Sequence, residues 1–230
     1  MARDASSVDL PLIRLAAVDS TQAFLRRNPH LGCCVVVVDR QSEGRGRQGN
    51  RWESAAGAGL WMSAALPAPA DVTPGLVLQR AMAAAARVLD PEGRILGIKW
   101  PNDLVAWKDG HLVKLGGILG EQITGCLILG LGVNLTEAPV IPDRAIPPAS
   151  LKDLGLDCPS VCDLAVLISK FWTNLEQGIQ PLFSWPEPGT PIHWEDGQGT
   201  CLGWEPDGRL NVATADGTQR LSFGEIRGLD

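Results

Sequence analysis

The sequence predicts an α+β protein: a mixed, mainly antiparallel sheet with helices packed on one face, followed by a small β-barrel. Three observations carry this. Short apolar runs between residues 95 and 135 are joined by tight turns, with Asp109-Gly110 the strongest hairpin signal. Two stretches, one Ala-rich from Pro74 and one amphipathic from Pro159, have helical patterning. Beyond Pro181, Pro186, Pro188 and Pro191, Asp-Gly pairs recur at Asp196-Gly197, Asp207-Gly208 and Asp216-Gly217, as they do between short strands of a small all-β unit.

In chain order, residues 1–17 read as irregular. Asp19-Ser20-Thr21-Gln22 is a helix start, with Asp19 or Ser20 as the cap and Phe24 and Leu25 at helical spacing; from this motif alone a simple capped helix is the preferred reading. Residues 33–38, two cysteines and four valines, form an apolar run typical of a buried strand. A strand is expected at 60–66, ended by Pro67 and Pro69. The Ala-rich helix runs from Pro74 to about Leu89, where Pro91 and Gly93 stop it. Strands follow at 95–100, 104–107, 112–122 and 126–135, with a second tight turn at Thr124-Gly125. Residues 136–159 are proline-rich, with a short turn at 151–154; a connection of that length in a compact domain is often functional. The amphipathic helix has Val161, Leu164, Ala165, Ile168, Phe171, Trp172 and Leu175 on its apolar stripe and stops at Gly178.

The chain has 230 residues, 45% hydrophobic and 20% charged, enough for one sizeable core and an appendage. A net charge of −6 argues against a general nucleic-acid binder, which carries a basic footprint. No apolar stretch approaches the ~18 residues of a membrane span, and no leader pattern opens the chain, so a cytoplasmic protein is expected. The six cysteines lack zinc-site spacing and companion histidines. They read as small buried hydrophobes in a reducing compartment, and no metal ligand is assigned.

Chemistry concentrates in five motifs. Gly44-Arg45-Gly46-Arg47-Gln48-Gly49-Asn50-Arg51-Trp52 leaves the end of the first apolar strand: its glycines free the backbone, its arginines are fork donors for phosphate or carboxylate, and Trp52 offers a stacking face. Asp19-Ser20-Thr21 supplies hydroxyls. Lys99-Trp100-Pro101-Asn102-Asp103 presents an amide and a carboxylate on a turn. Lys114-Leu115-Gly116-Gly117-Ile118-Leu119 places a cation beside two positions without side chains. Gly130-Leu131-Gly132-Val133-Asn134 is a strand whose glycines admit a ligand. Each has a bland alternative: a helix cap for Ser20 and Thr21, a core tryptophan for Trp52, a plain Pro-Asn-Asp turn, a solvated strand lysine for Lys114.

In order and spacing these motifs resemble the biotin–protein ligases, strongly over about residues 16–135 and more weakly through the amphipathic helix to an SH3-like C-terminal barrel. The resemblance implies a catalytic domain over 1–185 and an SH3-like domain over 186–230. It implies a two-step reaction in which the biotin carboxylate attacks the α-phosphate of MgATP to give biotinyl-5′-AMP and pyrophosphate. A lysine of a biotin carboxyl carrier domain, such as that of acetyl-CoA carboxylase, then takes the biotinyl group. Substrates and cofactors are thus ATP, biotin and Mg2+, with a monomer or homodimer and no DNA or membrane partner.

By the same resemblance Lys114 is the key lysine, bridging carboxylate and α-phosphate with Arg47, and Asp103 orients or deprotonates the incoming lysine beside Asn102. Ser20, Thr21, Gln22 and Gln41 surround the ureido ring, and the backbone of Arg45, Gly46 and Arg47, which follows Gly44 of the same binding set, covers the ligand. Arg51, Trp52, Gly116, Gly130, Gly132 and Asn134 complete the binding set, with Trp52 and Asn134 on the adenylate side. Asn50 stands where the family has a basic residue, so one phosphate contact is expected to be missing or passed to Arg51. Gly116 or Gly117 replaces an alanine, and the segment 54–57 lacks the usual proline. The motifs begin by residue 19, which leaves no room for the family's winged helix-turn-helix repressor domain. A lipoate ligase or octanoyltransferase of the same fold, a non-catalytic biotin binder and a nucleic-acid-binding module using the Gly/Arg loop are the alternatives.

Overall fold

The structure is a computed structural model that describes residues 9–69, 72–123, 125–175 and 183–228. An eight-stranded sheet dominates it. The strands β1 (Leu12–Val18), β2 (Cys34–Gln41), β3 (Gly59–Pro67), β4 (Leu96–Lys99), β5 (Asp103–Lys108), β6 (His111–Ile123), β7 (Cys126–Asn134) and β8 (Ser184–Trp185) take the order β1-β2-β3-β7-β6-β5-β4-β8. The outermost pairs, β1 with β2 and β4 with β8, are parallel; all pairs between them are antiparallel. The hairpin turn at Asp109-Gly110 has φ of 51° and 79°, the left-handed pair that a two-residue turn requires.

β1 corrects the expectation of an irregular N-terminal stretch. It is a half-buried edge strand, and its partner β2 lies beyond a helix, so neither a clean alternation nor a turn signal marks it. Thr124, Gly178 and Pro181 fall outside the described residues.

Three helices flank the sheet. α2 (Pro74–Leu89) has the expected bounds: Thr73 caps it by accepting from Leu76 N, and Pro74 opens it. α3 (Val161–Trp172) is capped by Ser160, which accepts from Asp163 N. Both pack on one face, over Val35, Val37, Leu60, Met62, Leu129 and Leu131. The short α1 (Thr21–Arg27) lies on the other face, where Leu25 meets Val36, Val38, Trp61 and Ile128. Strand alternation sends neighbouring residues to these two opposite faces. The functional cleft opens on the α1 face.

Strand register lays a row of residues across that face: Lys99 opposite Asp103, Asp103 opposite Gly117, Gly117 opposite Gly132, Gly132 opposite Trp61. A β-bulge shapes it. Between Leu104 and Val105 the register on β6 slips from Gly116 to Lys114, leaving Leu115 as the extra residue. Leu115 and Ile118 therefore both enter the core, while Lys114 and Gly117, three residues apart, share the open face.

Where a small barrel was expected stands a five-stranded antiparallel sheet of β9 (Pro191–Trp194), β10 (Gly197–Trp204), β11 (Leu210–Thr214), β12 (Gly217–Leu221) and β13 (Arg227–Gly228), in the order β12-β11-β10-β9-β13. Its core of Ile192, Cys201, Leu210, Val212, Leu221 and Ile226 closes around Trp100, which comes from the end of β4 and is fully buried. Trp100 Nε1 donates to Gly208 O at 3.1 Å, and Gln79 of α2 donates to the same carbonyl at 2.6 Å.

Candidate active site

The Gly/Arg loop folds locally into a short hairpin. Trp52 N donates to Gly44 O (2.8 Å), Gly46 N to Asn50 O (2.7 Å), and Arg45 pairs with Arg51 in an isolated bridge. Gln48 and Gly49, at φ 54° and 76°, turn the tip. A Cβ on Gly44 would run into the carbonyl oxygen of Trp52, so that glycine serves close backbone approach and does not line the cleft.

The loop delivers Trp52 onto β7. Its indole lies where a side chain at 132 would stand: a Cβ on Gly132 would sit 2.5 Å from Trp52 Nε1. Likewise a Cβ on Gly130 would come within 2.8 Å of Gln22, whose amide donates to Leu119 O at 2.9 Å. The two glycines expected to admit a ligand thus admit two protein side chains that form the cleft wall. Gly116 is a different case. A Cβ there would meet Gly132 O and Val133 on the neighbouring strand, so it serves strand packing outside the cleft, and Gly117 is the glycine that lines it.

One end of the cleft is polar and neutral. Thr21 donates to Gln41 Oε1 from its backbone N (2.8 Å) and from its hydroxyl (3.2 Å), and that hydroxyl stands 2.7 Å from Ser63 Oγ. Gln41 donates in turn to Ser54 Oγ at 2.9 Å. Ser20 caps α1, accepting from Ala23 N at 3.5 Å, and lines the cleft as well; its two readings are compatible.

The other end is cationic. Lys114 Nζ stands 2.7 Å from Asp103 Oδ1 and 5.7 Å from the centroid of the Trp52 ring. Arg47 donates to Asn102 Oδ1 (3.2 Å) and to Gly224 O (3.1 Å), while Asn102 Nδ2 is held by Ile118 O at 2.8 Å. Lys99, only 5% exposed, lies 5.5 Å from the Trp185 ring centroid. Burial pushes the Arg47 guanidinium and the Lys99 ammonium down from their ordinary ranges, and the Asp103 carboxylate opposes both shifts. Arg51 lines the cleft with a mostly exposed side chain, one nitrogen of which donates to Ser42 O at 3.1 Å.

The cleft has a volume of about 230 Å3. It gathers every expected site residue except Gly44 and Gly116. Asn134 lines it too. Its amide donates to Ala149 O at 3.1 Å, whereas its Oδ1 and the Trp52 Nε1 are buried without a partner. Unmet polar groups of this kind in a cleft are free to meet a ligand.

Three contributors escaped the site prediction. Lys99 was visible as part of a motif but carried no assigned role. The proline-rich connection supplies a wall through Pro139, Ile141, Arg144 and Ile146, and is stitched to Lys114 itself, whose N donates to Pro147 O (2.9 Å) and whose O accepts from Ala149 N (2.8 Å). Its length signalled function without saying which. Glu225, Ile226 and Arg227 reach the cleft from the small sheet, which no local pattern announces.

The arrangement suits a ligand with a neutral hydrogen-bonding head and an anionic tail that meets Lys114 and Arg47. Among the described residues no three of His, Cys, Asp and Glu gather to hold a metal ion, and all six cysteines are free. Cys34 and Cys201 are buried as expected, whereas Cys33 and Cys158 are exposed. No helix among the described residues is long and apolar enough to cross a membrane.

The model of the biotin/lipoate A/B protein ligase family matches residues 16–134. The biotin–[acetyl-CoA-carboxylase] ligase of Mycobacterium tuberculosis is 36% identical over 154 residues, covering 63% of this chain and 53% of that protein. The bifunctional ligase/repressor BirA of Bacillus subtilis is 34% identical over 241 residues, covering 92% of this chain and 71% of that protein. The chain thus spans about half the length of the mycobacterial relative. Among solved structures, the biotin protein ligase from Aquifex aeolicus in complex with biotin and ATP superposes with a TM-score of 0.76 over 95% of this chain and 99% of that one; at 24% identity this is a likeness of fold.

Proposed function

The chain belongs to the biotin/lipoate A/B protein ligase family, and on that premise we propose that it activates biotin with ATP and transfers it to a protein lysine. The observation that carries this is the polarity of the cleft. Thr21 and Gln41 form a neutral hydrogen-bonding end suited to a ureido ring, and Lys114 and Arg47 form a cationic end suited to a carboxylate and a phosphate.

In the first step a biotin carboxylate oxygen forms a bond to the α-phosphorus of ATP, and the bond to the pyrophosphate oxygen breaks. Both reactants are anions, so Lys114 and Arg47 screen their repulsion and hold them in line. Trp52 and the free Asn134 Oδ1 receive the adenylate portion. Mg2+ fits as an ion carried on the nucleotide. The carboxylates lining the cleft are Glu53, Asp103, Asp143 and Glu225; among the described residues no three potential ligands gather at one point, and Asp103 is paired with Lys114, a donor set that suits Mg2+ held chiefly by substrate phosphates.

In the second step the amine of a carrier lysine attacks the acyl carbon and AMP leaves. That amine is mostly protonated at neutral pH, with a reference pKa of about 10.4, and Asp103 is placed to orient it and take its proton. The acceptor is the carboxyl carrier domain of a biotin-dependent carboxylase, a reading supported by the name of the mycobacterial relative. The same proposal divides the chain into a catalytic portion, 1–185, and a C-terminal portion, 186–230. The end of β8 at Trp185 and the start of β9 at Pro191 support that division.

Lipoate and octanoate, the substrate classes of the second reading, carry no ureido-like head to add to the hydrogen bonds that Thr21 and Gln41 make with each other, Ser63 and Ser54. The Gly/Arg loop also favours a small ligand over nucleic acid, because Arg47 is tied inside the cleft by Asn102 and Gly224. ATP–pyrophosphate exchange decides the matter. Exchange dependent on biotin is expected; exchange supported by lipoate or octanoate and not by biotin overturns the substrate assignment.

A further inference from the structure

β3 carries one hydroxyl on the side that faces α1, which is otherwise apolar. Strand alternation turns Trp61, Ser63 and Ala65 to that side, and Ser63 stands between Val36 of β2 and Gly130 of β7. Ser63 is fully buried, and it is not among the residues that line the cleft. A buried hydroxyl is costly unless it is hydrogen-bonded. Among the described residues its side chain has one partner, the Thr21 hydroxyl at 2.7 Å.

The direction of that bond follows from a count of hydrogens. Ser63 Oγ, Thr21 Oγ1 and Gln41 Oε1 form a chain, with separations of 2.7 and 3.2 Å. Each hydroxyl has one hydrogen to give, and an amide oxygen only accepts. Both hydrogens are engaged only when Ser63 donates to Thr21 and Thr21 donates to Gln41. The reverse order leaves the Ser63 hydrogen buried without an acceptor and sets two bare oxygens 3.2 Å apart. Gln41 is itself oriented from two sides. Thr21 N donates to the same Oε1 at 2.8 Å, and Gln41 Nε2 donates to Ser54 Oγ at 2.9 Å.

The order of the chain decides what the cleft presents. Thr21 Oγ1 has its hydrogen engaged within the wall and one lone pair taken by Ser63, so the remaining lone pair faces a ligand as an acceptor. We propose that Ser63 is a positioning residue for the biotin head, holding the Thr21 hydroxyl as the acceptor for a ring N–H of the ureido group. This rests on the ligase reading above. A ureido ring has two N–H donors beside its carbonyl, whereas a dithiolane ring or an alkyl chain brings none. Ser63 thereby favours ligands that donate at this point, although it touches none of them.

The test is biotin-dependent ATP–pyrophosphate exchange in the full chain carrying Ser63→Ala, alone and combined with Thr21→Val. Ser63→Ala removes one buried atom, and Thr21 keeps both of its bonds to Gln41. It should raise the KM for biotin at least about fivefold, the scale of one neutral hydrogen bond. The KM for ATP and the kcat should stay within twofold of the parent. In the Thr21→Val chain the same change should shift the biotin KM by less than twofold, because the hydroxyl that Ser63 orients is gone. An unchanged biotin KM in Ser63→Ala would overturn the proposal. So would an equal rise in the KM for both substrates, which marks a general disturbance of the sheet. A full-sized rise in the Thr21→Val chain would also overturn it, since the effect would then bypass Thr21. Absence of biotin-dependent exchange in the parent chain would break the ligase reading, and this proposal with it.

Discussion

Lys114 Nζ and Asp103 Oδ1 meet at 2.7 Å across a bulged pair of strands, so the cation of the cleft is already paired with the carboxylate beside it. On the proposed reading, an anionic ligand at Lys114 would compete with Asp103 and release the carboxylate for the carrier amine. Removal of the ammonium in Lys114→Ala should therefore reduce biotin-dependent exchange by at least about 100-fold, the scale of losing one charged transition-state contact. Circular dichroism and thermal melting should remain near those of the parent. Exchange at the parental rate would sink the role given to Lys114.

Asp103→Asn separates the two half-reactions. The amide keeps the shape and leaves Lys114 free, so adenylate formation should hold within a few-fold. Transfer to the carrier domain should slow by roughly 100-fold or more, since a positioned general base contributes on that order. The comparison is single-turnover transfer from adenylate against exchange. Normal rates in both would exclude Asp103 from the proton step.

Gly132 and Trp52 form a lock of opposite kind. A Cβ at 132 would stand 2.5 Å from the indole nitrogen, and Gly132 is held in β7 between β3 and β6. Gly132→Ala should cost about 1–3 kcal/mol of stability, as small-to-large changes in packed sites do, and should weaken biotin binding by displacing Trp52. Adding Trp52→Ala to Gly132→Ala should recover much of the stability loss. A double-mutant cycle by denaturant melting measures this coupling, and strict additivity would contradict it.

Much of this could be read directly from the sequence. Pro74 at one end and Pro91 with Gly93 at the other give α2 its bounds, and Asp109-Gly110 gives the hairpin, because these signals act within a few residues. β1 could not be read because its pairing partner lies across α1. The set of site residues was legible largely because five short motifs carry it. The meaning of Gly130 and Gly132 was not, since only tertiary packing shows Gln22 and Trp52 filling the space above them. The bulge at Leu115 was hidden too. Simple alternation would have put Lys114 and Gly117 on opposite faces.

Trp100→Ala tests how far the proposed division at residue 185 makes independent units. The indole is fully buried among residues of the small sheet, so its loss should cost about 3–5 kcal/mol. The piece 186–230, made by itself, lacks this side chain and should not show a cooperative melt. Cooperative unfolding of that piece would show that it needs no core residue from the large sheet.

Asp19 and Arg27 provide a pH signature. Two hydrogen bonds from Arg27, at 2.6 and 2.7 Å, hold the Asp19 carboxyl down to about 2 from 3.8, with help from Ser20 N and against partial burial. A lowered folded-state pKa stabilises the fold above 3.8 and loses that contribution as pH falls toward 2. Because both groups are partly solvated, Asp19→Asn should cost only about 0.5–1 kcal/mol at neutral pH. Melting curves of parent and variant should differ by a few degrees at pH 6 and converge near pH 2. A gap that persists there would assign the difference to something other than this ion pair.

Adjacent α-carbons are about 3.8 Å apart, and Lys99 and Trp100 send their side chains from one such pair into two different compartments. Between the cationic side of the cleft and the interior of the small sheet there is then no flexible joint to absorb a displacement. A load on the small sheet, such as a docked carrier domain would apply, reaches the ammonium of Lys99 as a nearly rigid movement. Replacing that sheet with an unrelated fold would remove the socket that anchors Trp100, even if every residue lining the cleft on the large sheet were kept.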